Sequence, residues 1–189
     1  MAVEAMASGM KVTKTTLPGL LLIEPSIFAD SRGFFLESYS KRTMADMGIT
    51  NEFVQDNHSF SWKNVLRGLH YQIRHAQGKL VRVIFGEILD VAVDLRRSSQ
   101  TFGRWFGEIL SGENKRLLWI PPGFAHGFLV ISENAHVLYK STDYYDPPSE
   151  RTLAWNDSDL NIDWQLRAAP ILSEKDRQGT PFHSADVFD

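Results

Sequence analysis

Along most of the chain, hydrophobic and polar residues alternate with a period of two, which is typical of β-strands rather than helices. In the segment that begins at Glu87, Leu89 and Val91 fall on one face, whereas Asp90 and Asp94 fall on the other. Strands are predicted at 20–24, 35–39, 79–85, 87–95, 103–110, 116–120, 126–132, 135–142 and 151–155. So many short strands separated by turns predict an antiparallel all-β sandwich or barrel, such as a jelly roll.

The breaks between these runs predict one hairpin and two short helices. Gly86 separates the runs 79–85 and 87–95, and two strand patterns around a glycine predict a hairpin. The segment 40–48 begins with a serine that can cap a helix and closes with a glycine, and 173–177 has the composition of a single helical turn. Both helices are expected to lie at the periphery of the barrel.

The chain is long enough for one domain with its own hydrophobic core, at 189 residues. No repeat, linker or low-complexity tract divides it, so we expect a single domain over 10–189 and a disordered extension over 1–9. The extension lacks the basic and apolar regions of a secretory signal, and no apolar run reaches the ~20 residues of a membrane span.

Charge and cysteine content exclude several classes of function. The net charge is -3, with acidic and basic residues mixed along the chain, which argues against binding to nucleic acid. The absence of cysteine excludes disulfides, zinc–thiolate sites and iron–sulfur clusters. We therefore expect a cytoplasmic protein without a membrane partner.

His70 is the first candidate for chemistry. On a strand over 69–72, His70 and Gln72 share a face, and Arg67 lies just before them. These polar neighbours suit a pocket, although a core histidine satisfied by hydrogen bonds is the commoner explanation for one such residue. Composition and spacing alone predict a β-barrel with a polar histidine pocket.

A catalytic metal is not expected. His126 follows the turn at 121–123, a position where β-barrel proteins can carry a metal ligand. A metal site needs three or four ligands placed together, and the chain lacks a His-X-His pair followed by glutamate. Phosphate loops, dinucleotide-binding fingerprints and nucleophile elbows are also absent from the sequence.

Eight blocks, in order, resemble the dTDP-4-dehydrorhamnose 3,5-epimerase family. They are DSRGFFLE at 30–37, VQDNHS at 54–59, VLRGLHYQ at 65–72, AQGKLVRV at 76–83, DVAVDLR at 90–96, LWIPPGFAHGF at 118–128, YKSTDYYDP at 139–147 and LSEKD at 172–176. The likeness runs from Met10 to Asp176. It implies a cupin-type jelly roll (a double-stranded β-helix barrel), a homodimer, and a reaction that uses neither metal nor cofactor.

The resemblance also implies a reaction and the residues that carry it. The family inverts C3 and C5 of dTDP-4-dehydro-6-deoxy-D-glucose to give dTDP-4-dehydro-L-rhamnose. His70 is similar to the general base, Asp176 to its carboxylate partner, and Tyr139 to the proton donor. Lys79 is similar to the lysine near the sugar ketone, and Tyr145 to an aromatic residue near the base. Nucleotide-sugar contacts are implied for Arg32, Glu37, Gln55, Asn57, Arg67, His126, Glu150 and Lys175.

These residue types suit epimerisation next to a ketone. The C4 ketone acidifies the C3 and C5 hydrogens, so a histidine base can remove one while a tyrosine returns a proton to the opposite face. A carboxylate fixes the imidazole tautomer, and an ammonium such as Lys79 can stabilise the enolate, with His126 as a second donor. Arg32 and Arg67 can neutralise the diphosphate.

Three alternatives stay open at this point. The chain could invert a single carbon of a related deoxysugar, because the same side chains would serve. It could be a jelly roll that binds a nucleotide sugar without turning it over, since fold alone does not fix function. It could also be a metal-dependent cupin oxygenase, which would require bound iron or manganese.

Overall fold

A computed structural model describes residues 4–7 and 9–189, which form fourteen strands and two short α-helices. The strands are β1 Glu4–Ala7, β2 Met10–Lys14, β3 Leu21–Pro25, β4 Phe28–Asp30, β5 Gly33–Phe35, β6 Gln55–Trp62, β7 Leu66–Gln72, β8 Lys79–Phe85, β9 Glu87–Asp94, β10 Trp105–Ser111, β11 Leu117–Ile120, β12 Phe124–Val130, β13 Asn134–Ser141 and β14 Glu150–Thr152. The helices are α1 Lys41–Asp46 and α2 Glu174–Arg177. The prediction of an all-β fold with a few short helices is confirmed.

Two antiparallel sheets build the barrel. The larger has seven strands in the order β1-β2-β3-β11-β8-β13-β6, and the smaller has five in the order β10-β9-β12-β7-β14. A cluster of buried side chains from both sheets fills the space between them, including Val81 and Leu118 from the larger and Ile88 and Phe128 from the smaller. Burial of this apolar surface is what holds the two sheets face to face.

The outer face of the smaller sheet is covered as well. Leu89, Val91 and Val93 of β9 pack in a second buried cluster with Leu160 and Trp164 from the C-terminal segment. Both faces of β9 are therefore buried, and Asp90 and Asp94 are 0% exposed. The alternation along this strand separates two buried faces, and its polar face lies inside the molecule rather than in water.

The hairpin predicted around Gly86 is wrong. β8 pairs with β11 and β13 in the larger sheet, whereas β9 pairs with β10 and β12 in the smaller one. Gly86 thus lies where the chain crosses from one sheet to the other, with φ +79, and a Cβ there would approach the Asn134 carbonyl oxygen to 2.1 Å. Closure of the barrel decides the partners of these strands, and local pattern carries no information about it.

The segment predicted as a strand at 35–39 is also corrected. β5 ends at Phe35, and residues 36–40 run irregularly into α1. The short β4–β5 hairpin pairs with itself and leaves Phe28, Phe34 and Phe35 largely exposed. The predicted helix at 40–48 is present, because the Ser40 side chain accepts the Thr43 backbone N–H as an N-cap.

Part of the extension predicted as disordered over 1–9 forms structure. Glu4–Ala7 form β1, which pairs with residues 10–13 of β2. An edge strand presents unpaired backbone groups, and β1 satisfies those of β2. Residues 1–3 and 8 lie outside the described residues. Two further strands that the periodicity did not predict, β2 and β6, complete the larger sheet.

Candidate active site

His70 and Asp176 form a hydrogen-bonded pair inside the barrel. His70 lies in the middle of β7, and its Nε2 is 2.6 Å from Oδ1 of Asp176 on α2. The His70 side chain is 26% exposed and that of Asp176 is 3% exposed. The pair thus presents an imidazole to the interior and keeps its carboxylate out of solvent.

Two further contacts hold the Asp176 carboxylate in place, and a third holds its backbone. The Ser173 hydroxyl donates to Oδ2 at 2.7 Å, and the Gly68 backbone N–H donates to Oδ1 at 3.4 Å. Ser173 also caps α2, since its Oγ accepts the Asp176 backbone N–H at 3.2 Å. A serine that caps the helix and binds the carboxylate fixes both the backbone and the side chain of Asp176.

Bridges on either side of α2 bring it to β7. Val65, just before β7, pairs with Ile171, and Leu153, just after β14, pairs with Thr180. These two bridges tie the chain down before and after the helix. Asp176 therefore lies against His70, although 106 residues separate the two along the chain.

The electrostatics favour a neutral imidazole beside an ionised carboxylate. Burial lowers the pKa of His70, and the nearby Asp176 only partly opposes this. Burial alone would raise the pKa of Asp176, but hydrogen bonds from His70 and Ser173 bring it below its ordinary value. Because an ionised carboxylate only accepts, Nε2 of His70 carries the hydrogen and Nδ1 is left with a lone pair.

A second histidine–carboxylate pair lies on the neighbouring strands. His126 of β12 is in register with His70 on one side and with Ala92 of β9 on the other. Its Nε2 is 2.8 Å from Oδ1 of Asp90, and both side chains are buried. Asp90 was not predicted as a site residue. It alternates with apolar residues along β9, and this pattern is typical of a strand whose polar side faces solvent.

Lys79 enters the same interior from the opposite sheet. It is 8% exposed at the start of β8, and its Nζ donates to the His70 carbonyl oxygen at 3.4 Å. Burial lowers the pKa of Lys79 to about 8, while the carboxylates of Asp90 and Glu150 oppose this shift. The ammonium form is therefore present at neutral pH and lost under mildly basic conditions.

Tyr139 also faces the interior from the larger sheet. It packs against the central core cluster, in register with Val81 of β8 and Asn57 of β6. Burial raises the pKa of Tyr139, with a smaller opposing effect from Arg67, so the phenol keeps its proton at neutral pH. Arg67 is exposed, and its Nε donates to Ser61 Oγ at 2.9 Å.

A polar rim connects the remaining candidates. Lys175 Nζ is 2.7 Å from Glu150 Oε1, and the Tyr145 hydroxyl donates to Glu150 Oε2 at 3.0 Å. The Tyr145 backbone N–H donates to Gln55 Oε1, and Gln55 Nε2 donates to Asn57 Oδ1 at 2.8 Å. Lys175 directly precedes Asp176 on α2, so the rim and the dyad share this helix.

Two side chains near this rim, Asn57 and Ser141, carry buried polar atoms. Asn57 Nδ2 and Ser141 Oγ are buried without a hydrogen-bond partner among the residues that the structure describes. Ser141 is in register with Lys79, and Asn57 with Tyr139. Buried polar groups normally have partners, so these two atoms are exceptions, and they lie beside Lys79 and Tyr139.

Arg32 and Glu37 stand apart from this group. Arg32 lies between β4 and β5, where its guanidinium binds Asp30, and its side chain is 86% exposed. The Glu37 carboxylate accepts from the Thr43 hydroxyl at 2.9 Å, next to α1. Of the residues implied by resemblance, these two are the ones that the fold of a single chain does not bring to His70.

Within residues 4–7 and 9–189, no three His, Asp, Glu or Cys side chains are grouped so that they could hold a metal ion. No helix in the described part of the chain is long and apolar enough to cross a lipid bilayer.

Comparison with known proteins identifies the family. A family model described as dTDP-4-dehydrorhamnose 3,5-epimerase matches residues 14–184. The chain belongs to this epimerase family. A Pseudomonas aeruginosa dTDP-4-dehydrorhamnose 3,5-epimerase is 61% identical to it over 180 residues, which cover 95% of this chain and 99% of that protein. The resemblance inferred from the eight sequence blocks is confirmed.

Solved structures of this epimerase family have the same fold. An epimerase from Legionella pneumophila Philadelphia 1, in complex with dTDP-4-keto-L-rhamnose, matches with a TM-score of 0.91 and 53% identity, covering 94% of this chain and 95% of that chain. A 3'-monoepimerase from Streptomyces bikiniensis, in complex with dTDP-quinovose, matches with a TM-score of 0.84 and 29% identity, covering 90% of this chain and 87% of that chain. The predicted cupin-type barrel is confirmed for this epimerase.

Proposed function

We propose that this epimerase inverts C3 and C5 of dTDP-4-dehydro-6-deoxy-D-glucose and so forms dTDP-4-dehydro-L-rhamnose for dTDP-L-rhamnose synthesis. The observation that carries the proposal is the arrangement of His70 and Tyr139 on opposite sheets of one barrel interior. A base and an acid that approach a ring from opposite sides can remove a proton from one face and return one to the other. Inversion requires this geometry, whereas binding alone does not.

The first step is removal of the C5 or C3 proton by Nδ1 of His70. The C–H electron pair moves into a C–C double bond, and the ketone oxygen becomes an enolate. Asp176, bound to Nε2, stabilises the imidazolium that forms. The ammonium of Lys79 stabilises the negative oxygen, which in comparable sites is worth several kcal/mol.

The second step is protonation from the opposite face. Tyr139 transfers its phenolic proton to the carbanion carbon, the ketone reforms, and the configuration at that carbon is inverted. The phenolate recovers a proton from solvent, and the imidazolium releases one to solvent. The same pair of groups acts at the second carbon, so no oxidant, reductant or cofactor enters the balance.

The rim residues are proposed to hold the nucleotide part. Arg67 and Lys175 supply positive charge for the diphosphate, and the exposed ring of Tyr145 offers a surface near the base. Gln55, Asn57, His126 and Glu150 provide hydrogen-bonding groups around the sugar. Arg67 and Lys175 both lie close to the dyad, on β7 and α2.

We also infer a homodimer in the cytoplasm. The β4–β5 hairpin carries three exposed phenylalanines next to Arg32, which suits a segment covered by a second copy of the chain. In such a dimer, Arg32 and Glu37 would serve the site of the partner. The absence of cysteine is compatible with a reducing compartment.

Turnover in deuterated water tests the proposed reaction. The purified protein is incubated with dTDP-4-dehydro-6-deoxy-D-glucose, and a reductase traps the product for proton NMR. Deuterium at both C3 and C5, with the L-configuration, supports the double inversion. Label at one carbon would assign the chain to the single-centre epimerases, and binding without any exchange would make it a nucleotide-sugar-binding protein.

A further inference from the structure

Asp90 is a buried carboxylate that the proposed mechanism does not use. It lies on the inward face of β9, between Ile88 and Ala92 of the core cluster, and is 0% exposed. One oxygen, Oδ1, is bound to His126 Nε2 at 2.8 Å. The other, Oδ2, is buried without a hydrogen-bond partner in the part of the chain that the structure describes. A carboxylate in this situation is unfavourable unless a nearby positive charge compensates it.

Lys79 supplies that positive charge. It is the buried lysine of the site, and it enters the interior from the facing sheet. Burial works against its ammonium, and the charge of Asp90 is the largest influence that opposes this. A buried cation and a buried carboxylate across the same interior stabilise each other, and the removal of either leaves the other uncompensated.

The other charged and titratable groups around Lys79 do not replace Asp90. They are His70 on β7, His126 on β12, Tyr139 on β13, Glu150 on β14 and Lys175 on α2. Glu150 is the remaining acid among them, but its carboxylate already binds Lys175 Nζ at 2.7 Å and the Tyr145 hydroxyl. Lys175 itself disfavours a second ammonium nearby. Asp90 is therefore the acid whose charge is available to Lys79.

We propose that Asp90 is a positioning residue for the epimerisation, which orients the His126 ring through Oδ1 and keeps Lys79 in its ammonium form at neutral pH. Of the two groups that it controls, Lys79 is the donor assigned to the sugar ketone, and His126 is one of the hydrogen-bonding groups assigned to the sugar. One carboxylate thus prepares both groups before the enolate forms, without contacting the substrate. The inference rests on the proposed function, because it takes Lys79 as the group that stabilises the enolate.

Asp90→Asn tests this role, since it removes the charge and keeps the shape. We expect the basic limb of the kcat/KM profile to move to lower pH by roughly one unit, because Lys79 then loses its proton more easily. Below that limb the variant should recover most of its activity. NMR of 13C-labelled lysine should show the same shift for Lys79 directly. A uniform loss of activity at every pH, with an unchanged Lys79 titration, would overturn the proposal.

Asp94→Asn is the matched control. Asp94 lies on the same strand and is equally buried, but its carboxylate binds Arg96, Ser99 and Thr101 rather than facing Lys79. This variant should lose stability and keep the basic limb in place. A shift equal to that of Asp90→Asn would mean that any lost carboxylate on β9 has the same effect, and the specific role of Asp90 would be refuted.

A stability cycle keeps the proposal testable if Asp90→Asn folds poorly. Thermal unfolding is measured for Asp90→Asn, Lys79→Met and the double variant. Because the double variant removes both buried charges, it should be more stable than the two single losses together imply. Additive losses would overturn the charge pairing. The cycle does not depend on turnover, so an active Lys79→Met variant would refute the proposed role of Lys79 in catalysis without deciding the pairing.

Discussion

The imidazole of His70 has the environment that a general base needs. Asp176 fixes its tautomer, and burial keeps it neutral at pH 7. We expect His70→Asn to lower solvent exchange at C3 and C5 by about 10²–10⁴-fold, the range of a lost acid–base group, with little change in thermal stability. The measurement is deuterium incorporation by NMR. His183→Asn, at an exposed position, is the control and should exchange normally.

The loss of Tyr139 should leave proton removal intact, whereas the loss of His70 should abolish it. In Tyr139→Phe the base can still remove a proton and take one back on the same face. We therefore expect net inversion to fall much more than proton exchange, as measured by comparing product formation with deuterium incorporation. Tyr144→Phe, at a 65% exposed residue, should behave like the wild type. Equal loss of exchange and inversion in Tyr139→Phe would contradict its role as proton donor and show that Tyr139 only binds or positions the substrate.

The two titrating groups predict a bell-shaped dependence of kcat/KM on pH. His70 must be neutral, and burial lowers its pKa, so activity should rise with pH as the imidazolium loses its proton and then level off. Lys79 must be protonated, and its pKa is about 8, so activity should fall as the pH rises through 8. A profile that stays flat to pH 9.5 would contradict the role of the Lys79 ammonium.

At the scale of elements, α2 depends on one serine. Ser173 binds both the helix backbone and the carboxylate of Asp176. Ser173→Ala should cost about 1 kcal/mol of stability through the lost cap. It should also lower kcat/KM, because the Asp176 carboxylate loses the hydroxyl bound to Oδ2. Thermal unfolding and steady-state kinetics measure the two effects.

Ser40→Ala provides the matched comparison for that variant. Ser40 caps α1 in the same manner, but α1 lies on the outer side of the larger sheet and contacts no residue of the dyad. We expect a similar loss of stability and unchanged turnover. If Ser173→Ala also left turnover unchanged, the hydroxyl of Ser173 would be purely structural.

The elements also separate what local pattern can predict from what it cannot. Both helices were predicted, because Ser40 and Ser173 are caps whose hydrogen bonds span three residues. The hairpin at Gly86 was predicted and is wrong, because β8 and β9 belong to different sheets. Capping is a local interaction, whereas strand pairing depends on how distant parts of the chain close the barrel.

At the scale of the whole molecule, the proposed dimer predicts shared active sites. If Arg32 serves the partner, then Arg32→Ala and His70→Asn are both inactive alone, but a mixed dimer contains one site with both native residues. Mixing the two variants under conditions of subunit exchange should restore activity that neither has by itself. Sedimentation velocity checks that dimers form, and a mixture that stays inactive although mixed dimers form would contradict the shared site.

The sequence by itself determined the all-β class, the two helix caps and the family, because strand periodicity, capping and motif blocks are properties of neighbouring residues. The tertiary structure alone decided which strands pair, how Asp176 reaches His70 across 106 residues, and that Asp90 is buried opposite Lys79. The physical reason is the same in each case. Pairing, proximity and the pKa of a buried group depend on parts of the chain that meet only when the barrel closes.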